Sequence, residues 1–174
     1  MRKWPGTAAS GRPISSGSVG SAYADALRLL AGRELSAAEV RSRLLDRDHP
    51  PDEVDAAIER LSESGALDDG RVARAHARTA ANIKGRGRLR IARELREKGI
   101  AQDVISAAMA DVFGELDERA LVSRAIEKKL RGRPRPTDAA GYARLYQHLM
   151  RQGFAPAVVS SELRRLQGRR TGDE

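Results

Sequence analysis

Apolar residues recur at helical spacing from residue 23 to residue 166, and no stretch shows the strict alternation of a half-buried strand. Ser36 and Glu39 form an S-x-x-E pair, the signature of a capping box, and Val40, Leu44 and Leu45 follow at helical positions. Pro51 suits the first turn of the next helix, where its missing N–H breaks no bond, and Val54, Ile58 and Leu61 then face one way. Ile91 and Leu95 form a stripe that ends at Gly99, and Val104, Ile105, Ala108 and Met109 form another. Leu121, Ala125 and Ile126 mark a helix that stops before the Gly/Pro break at 132–136. Thr137 or Asp138 then caps a helix through Leu145 and Leu149 to Gly153. Pro156 opens the last helix, which carries Val159, Leu163 and Leu166.

The pattern repeats. With Leu44, Leu95 and Leu149 in register, Val40, Ile91 and Leu145 stand four residues earlier, and Ile58, Met109 and Leu163 fourteen later. Gly99-Ile100 and Gly153-Phe154 also match, whereas the first copy has Asp48-His49-Pro50 there. A further helix precedes each pair, at 23–31, 69–83 and 118–130, and Asp69 is the expected cap of the middle one. The spacing predicts an all-α chain of three tandem three-helix units, at 21–69, 70–117 and 118–167, with a disordered tail at 1–20 and a frayed one at 168–174. One such unit buries little core by itself, so stacked copies should stabilise one another.

Composition narrows this further. Aromatic residues make up 3% of the chain against 40% apolar overall, which suits close helix packing by small aliphatic side chains. Cysteine is absent, which excludes disulfides, thiolate catalysis and a Cys-type zinc site. No apolar run is long enough to span a bilayer, and Arg2 and Lys3 are not followed by the apolar segment of a secretory signal, so no membrane partner is expected and a cytosolic location is the default.

Charge adds a direction. The formal net charge is +8, a balance that favours a polyanion or a protein carrying one. Residues 23–69 hold six Lys/Arg against twelve Asp/Glu, 70–117 ten against six, and 118–167 eleven against four. The first unit is acidic and the other two are basic.

Leu67-Asp68-Asp69-Gly70-Arg71-Val72-Ala73, then Lys84-Gly85-Arg86-Gly87, then Arg93-Glu94-Leu95-Arg96-Glu97-Lys98-Gly99-Ile100 resembles the signature region of the RecX family. Leu149-Met150-Arg151-Gln152-Gly153-Phe154 looks like that family's Leu-x-x-x-Gly-Phe ending. The likeness covers roughly residues 21–167. It implies tandem three-helix repeats in an elongated, curved array, acting without catalysis on a RecA–DNA filament and suppressing its ATP hydrolysis and strand exchange. The Gly/Ser-rich N-terminal stretch departs from the pattern.

The candidate partner- or DNA-binding residues are Arg71, Arg74 and Arg78 on one helix face, then Lys84, Arg86, Arg88, Arg93, Arg96 and Lys98. Lys128, Lys129 and Arg131 form a second patch, followed by Arg133 and Arg135. Like charges on one face weaken a lone helix by about 0.2–0.5 kcal/mol per pair, which points to an anion that offsets them; a solvated face is the alternative. The glycines of the 84–88 turn allow close backbone approach to a partner, or an ordinary flexible turn. The turn lacks the spacing of a nucleotide-binding loop. Few aromatics lie among these charges, so base stacking is not expected and any nucleic-acid affinity should be electrostatic. His49, His76 and His148 share no ligand spacing, and no nucleophile–base set stands out, so no catalytic residue, metal or cofactor is assigned. The partners expected are a RecA filament and single-stranded DNA, met directly or through that filament, with the chain a monomer. The competing function is a nonspecific DNA-binding architectural protein with helix-turn-helix-like units.

Overall fold

The computed structural model describes residues 19–168, with side chains from residue 22 onward; the tail readings for 1–18 and 169–174 lie outside the described residues. Among the described residues the chain forms nine α-helices and no strand. They are α1 (Val19–Gly32), α2 (Ala37–Leu45), α3 (Pro51–Glu63), α4 (Asp69–Asn82), α5 (Arg88–Glu97), α6 (Gln102–Gly114), α7 (Glu118–Leu130), α8 (Ala139–Gln152) and α9 (Pro156–Gly168). Each consecutive triplet packs as a unit, the first helix against the third and the second against both.

The register of the sequence repeat is the register of the core. Leu44, Leu95 and Leu149 are fully buried, as are Val40 and Ile91, with Leu145 nearly so. Unit one has its own apolar cluster, while units two and three share a continuous one. Each fully buried Leu or Ile contributes about 1.5–3 kcal/mol, so the matched positions define the units energetically as well as geometrically.

Local signals fix most helix ends. The Ser36–Glu39 capping box forms in both directions. Asp138 caps α8 by accepting from the Gly141 N–H at 2.8 Å. Two ends differ from the pattern. α1 begins at Val19, one turn early, because Ala22 is fully buried and extends the packed face into a stretch whose small residues carry no periodicity. Asp68 rather than Asp69 caps α4, accepting from the Arg71 N–H at 2.9 Å. Asp69 instead accepts from the Ala37 N–H at 2.8 Å and so ties unit two to the start of α2.

The units join end to end through their second helices. The C-terminus of α8 meets the N-terminus of α5: the Gly87 N–H donates to the Gln152 carbonyl at 2.8 Å and the Leu89 N–H to the Gly153 carbonyl at 3.0 Å. The C-terminus of α5 meets the N-terminus of α2: the Ser36 hydroxyl donates to the Lys98 carbonyl at 2.5 Å, and the Lys98 ammonium lies 3.1 Å from the Glu39 carboxylate. At the α8–α5 junction orphan N–H groups of one helix thereby find partners at the carbonyl end of the other, at the α5–α2 junction a capping hydroxyl takes that place, and in both the dipoles align head to tail.

Gly99 and Gly153 make this contact possible. Both adopt positive φ (72° and 84°), and a Cβ there would collide with Ala38 and Arg90 respectively. At the same repeat position unit one has Asp48, also left-handed at φ 62°. Asp tolerates that conformation better than most residues, and the end of α2 does not bear on a further unit in the way the ends of α5 and α8 do.

Candidate partner-binding surfaces

The cations singled out in the sequence divide into two groups. Arg71 is held by Glu34 of unit one at 2.9 Å and donates to the Gly65 and Ala66 carbonyls at 3.1 and 3.2 Å. Arg86 donates to Glu94 at 2.6 Å, and Lys98 pairs with Glu39. Arg93 pairs with Glu97 at 3.5 Å, with both side chains well exposed. A single outward-facing cluster from 71 to 98 is therefore not what forms: Arg71, Arg86 and Lys98 hold the fold together. The acids responsible are few, but two of them come from unit one, which charge counting along unit two does not register.

Glu94 is the centre of unit two. It accepts from Arg86, from Arg90 at 2.9 Å and from His76 at 3.0 Å, and its side chain is 15% exposed. Burial alone would raise its pKa, but the hydrogen bonds from Arg90, His76 and Arg86 outweigh this and hold the carboxyl below its usual range. Gly87 likewise serves the fold. A Cβ on it would strike the backbone of Gly153 and Phe154, so the close approach its sequence suggests is to unit three rather than to a partner.

The remaining candidates stay outside. Arg74 is half-buried beside the Asp68 carboxylate. Arg88 lies over the Phe113 ring at 5.0 Å, a cation–π contact that leaves it exposed. Arg78, Lys84, Arg96, Lys128, Lys129 and Arg131 are exposed and pair with no carboxylate among the described residues. The structure brings four of these together. Lys84, from the turn after α4, shares a groove of about 230 Å³ with Lys128 and Lys129 of α7. Lys128 and Arg131 line an adjoining groove of about 330 Å³ with Ile83, Arg124 and Glu127. Ile83 and Leu89 bracket this basic turn and are 72% and 56% exposed.

The architecture agrees with known proteins. The family models described as RecX first, second and third three-helix domains match residues 22–61, 68–109 and 117–162. "Regulatory protein RecX" of Halorhodospira halophila is 39% identical over 144 residues, covering 82% of this chain and 87% of that protein. This chain belongs to the RecX family. The RecX proteins of Pelodictyon phaeoclathratiforme (81% of this chain, 86% of that protein) and Mycolicibacterium smegmatis (79% and 77%) are each 36% identical to it. The crystal structure of RecX from Lactobacillus salivarius superimposes with a TM-score of 0.73 at 21% identity, covering 86% of this chain and 96% of that one, and so shares the fold. RecX is a family of regulatory proteins, and the three-helix repeats found here are its domains. No helix among the described residues is long and apolar enough to cross a membrane, and no cluster of three metal-ligating side chains occurs there.

One charged group of this RecX chain escapes sequence reading. Glu162, in the apolar stripe of α9, is 4% exposed at the edge of a cleft of about 830 Å³ between α7 and α9. It accepts from Arg119 at 3.0 Å, Ser123 at 3.0 Å and Arg165 at 3.1 Å. Burial would raise its pKa, yet these three bonds together keep it below the usual range. Arg165 is only three residues away on α9, but Arg119 and Ser123 stand on α7, about forty residues back, so nothing local marks Glu162 as buried. Both arginines are 55% exposed, so water re-solvates them if the carboxylate is lost. Glu162→Gln should therefore cost only about 1–2 kcal/mol, read as a shift of the urea midpoint at unchanged slope.

Proposed function

We propose that this chain regulates a RecA recombinase filament by docking on it as a protein, through the edge of unit two that carries Ile83, Lys84, Arg88 and Leu89. The carrying observation is the exposure of Ile83 and Leu89 on either side of a cationic turn. Large apolar side chains so placed are what a protein partner covers, with the cations setting orientation against acidic groups. A bare phosphate backbone gives such side chains nothing to bury against. Membership of a family of regulatory proteins supports the regulatory role, and the resemblance of the 67–100 region supplies RecA as its object.

Occupancy is the mechanism. The end-to-end junctions make three units one semi-rigid body able to touch neighbouring subunits of a polymer. The resemblance to RecX implies inhibition, and holding neighbours in one relation would supply it by hindering the movements that ATP turnover and strand exchange need. The two adjoining grooves, one lined by Lys84 and Lys128 and the other by Lys128 and Arg131, add a cationic strip beside the apolar anchors.

The test is RecA ATPase on single-stranded DNA with sub-stoichiometric added protein. The parent chain should lower the rate. Ile83→Glu with Lys84→Glu and Leu89→Glu should need at least roughly tenfold more protein for the same effect, since loss of interface anchors typically costs about 2 kcal/mol or more. These side chains are exposed, so circular dichroism should be unchanged. Undiminished inhibition by that folded variant would remove the assignment.

A further inference from the structure

On unit three, the last turn of α7, the 132–138 segment and α8 enclose a second cleft, of about 530 Å³. Lys129, Arg133, Arg135, Arg144 and Arg151 line it. Its one carboxylate, Asp138, is engaged as the cap of α8. None of the five cations pairs with a carboxylate among the described residues. Arg144, His148 and Arg151 recur at i, i+4 and i+7, so α8 presents one basic face to the cleft. That field is felt at His148. Its partial burial, then the charges of Lys129 and Arg151, hold its pKa below the ordinary 6.5. Arg144 and Arg151 lie on the next helix, past the Gly/Pro break, and the turn between α7 and α8 brings them to the 128–135 run.

We infer that this cleft binds the phosphodiester backbone of single-stranded nucleic acid, without help from a protein partner. Four of its five cations are arginines, whose planar forks match phosphate oxygens. Pro134 and Pro136 fix the φ angles of the segment that carries Arg133 and Arg135, so those charges sit in a preformed wall. The large exposed apolar residues of the described chain, Leu27, Leu45, Ile83 and Leu89, all lie elsewhere. An acidic protein would therefore find little to bury here, whereas a polyphosphate needs only charge. A concave cleft also suits a flexible strand better than the broad convex face of a duplex. Recognition is by backbone and carries no sequence preference. The cleft adjoins the groove beside the edge proposed to meet RecA, sharing Lys129 and His148 with it, while Ile83, Lys84, Arg88 and Leu89 themselves lie outside the cleft.

The experiment is fluorescence anisotropy of a labelled oligo-dT with the purified chain and no RecA, across a series of salt concentrations. Affinity should fall linearly on logarithmic axes, with a slope of about −0.7 per phosphate neutralised, or roughly −3 for most of five contacts. Arg144→Glu with Arg151→Glu should weaken binding at least tenfold and make the slope shallower by about one or more. An Ile83→Ala, Leu89→Ala variant, which removes the apolar anchors and leaves every charge in place, should bind oligo-dT like the parent. By NMR, the His148 titration should move to higher pH when oligo-dT is bound, because phosphates offset the cations that depress it. Unchanged affinity in the folded Arg144/Arg151 variant would overturn the inference. Polyglutamate binding as tightly as oligo-dT would also overturn it, by showing a general surface for acidic chains.

Discussion

Gly153→Ala is expected to destabilise the protein by about 2–5 kcal/mol and to loosen unit three from unit two. Two penalties add at this residue. An alanine at φ 84° leaves the region that L residues favour, at a cost of about 1–2 kcal/mol. Its Cβ would also strike the backbone N and the Cβ of Arg90, which belong to a helix and cannot swing away; such overpacking costs typically about 1–3 kcal/mol. Two companions separate the terms. Gly132→Ala has the same conformational demand (φ 71°) with open space around it, so it should show the backbone penalty alone. Gly87→Ala sits at φ −85° against the backbone of Gly153 and Phe154, so it should show the collision alone. Urea unfolding followed by circular dichroism ranks the three. A Gly153→Ala midpoint equal to the parent's would mean that the α8–α5 junction does not form as described. Loss of the two hydrogen bonds across the junction should further appear as faster amide exchange at Gly87 and Leu89.

The second large effect is expected at Glu94. Glu94→Gln keeps the side-chain shape but removes the charge that joins Arg86, Arg90 and His76. These three are 23%, 29% and 18% exposed, so water only partly replaces the carboxylate. Fully buried pairs broken in this way lose about 3–5 kcal/mol; with that partial solvation the loss here should be about 2–3 kcal/mol. The consequence reaches past unit two, because Arg90 also touches the Arg151 carbonyl at 3.4 Å across the junction.

The pH dependence has a definite sign. The folded Glu94 carboxyl titrates below its ordinary 4.5, so its stabilisation is full above that value and is lost as pH falls through the lowered folded pKa. The gap in stability between parent and Glu94→Gln should be widest near neutral pH and shrink in acid. A gap that stayed constant down to pH 3 would show that the charge is not what matters. Glu39 and Glu162 are lowered for the same kind of reason, so both should add to the acid limb of the parent's stability curve.

The chain's order of apolar residues was sufficient for the helices, for their grouping in threes and for the resemblance to RecX. Those features depend on neighbours within about four residues, or on a period of 51 to 54, and both are written along the chain. Caps were legible for the same reason: Ser36 with Glu39 and Asp138 with Gly141 lie three residues apart. Asp69 was misplaced because its donor, the Ala37 N–H, is 32 residues away.

Charge behaves in the opposite manner. Whether an arginine faces solvent or a carboxylate depends on what another unit brings beside it. Arg71 meets Glu34, and Lys98 meets Glu39, only once α5 and α4 have docked on α2. Docking of unit three on unit two gathers Lys84 with Lys128, and the folding of unit three gathers Arg133 with Arg144 and Arg151. Sequence by itself thus determined the repeat, because burial of regularly spaced side chains is a local rule. Tertiary structure alone decided which cations remain available, because electrostatic pairing acts through space and takes no account of separation along the chain.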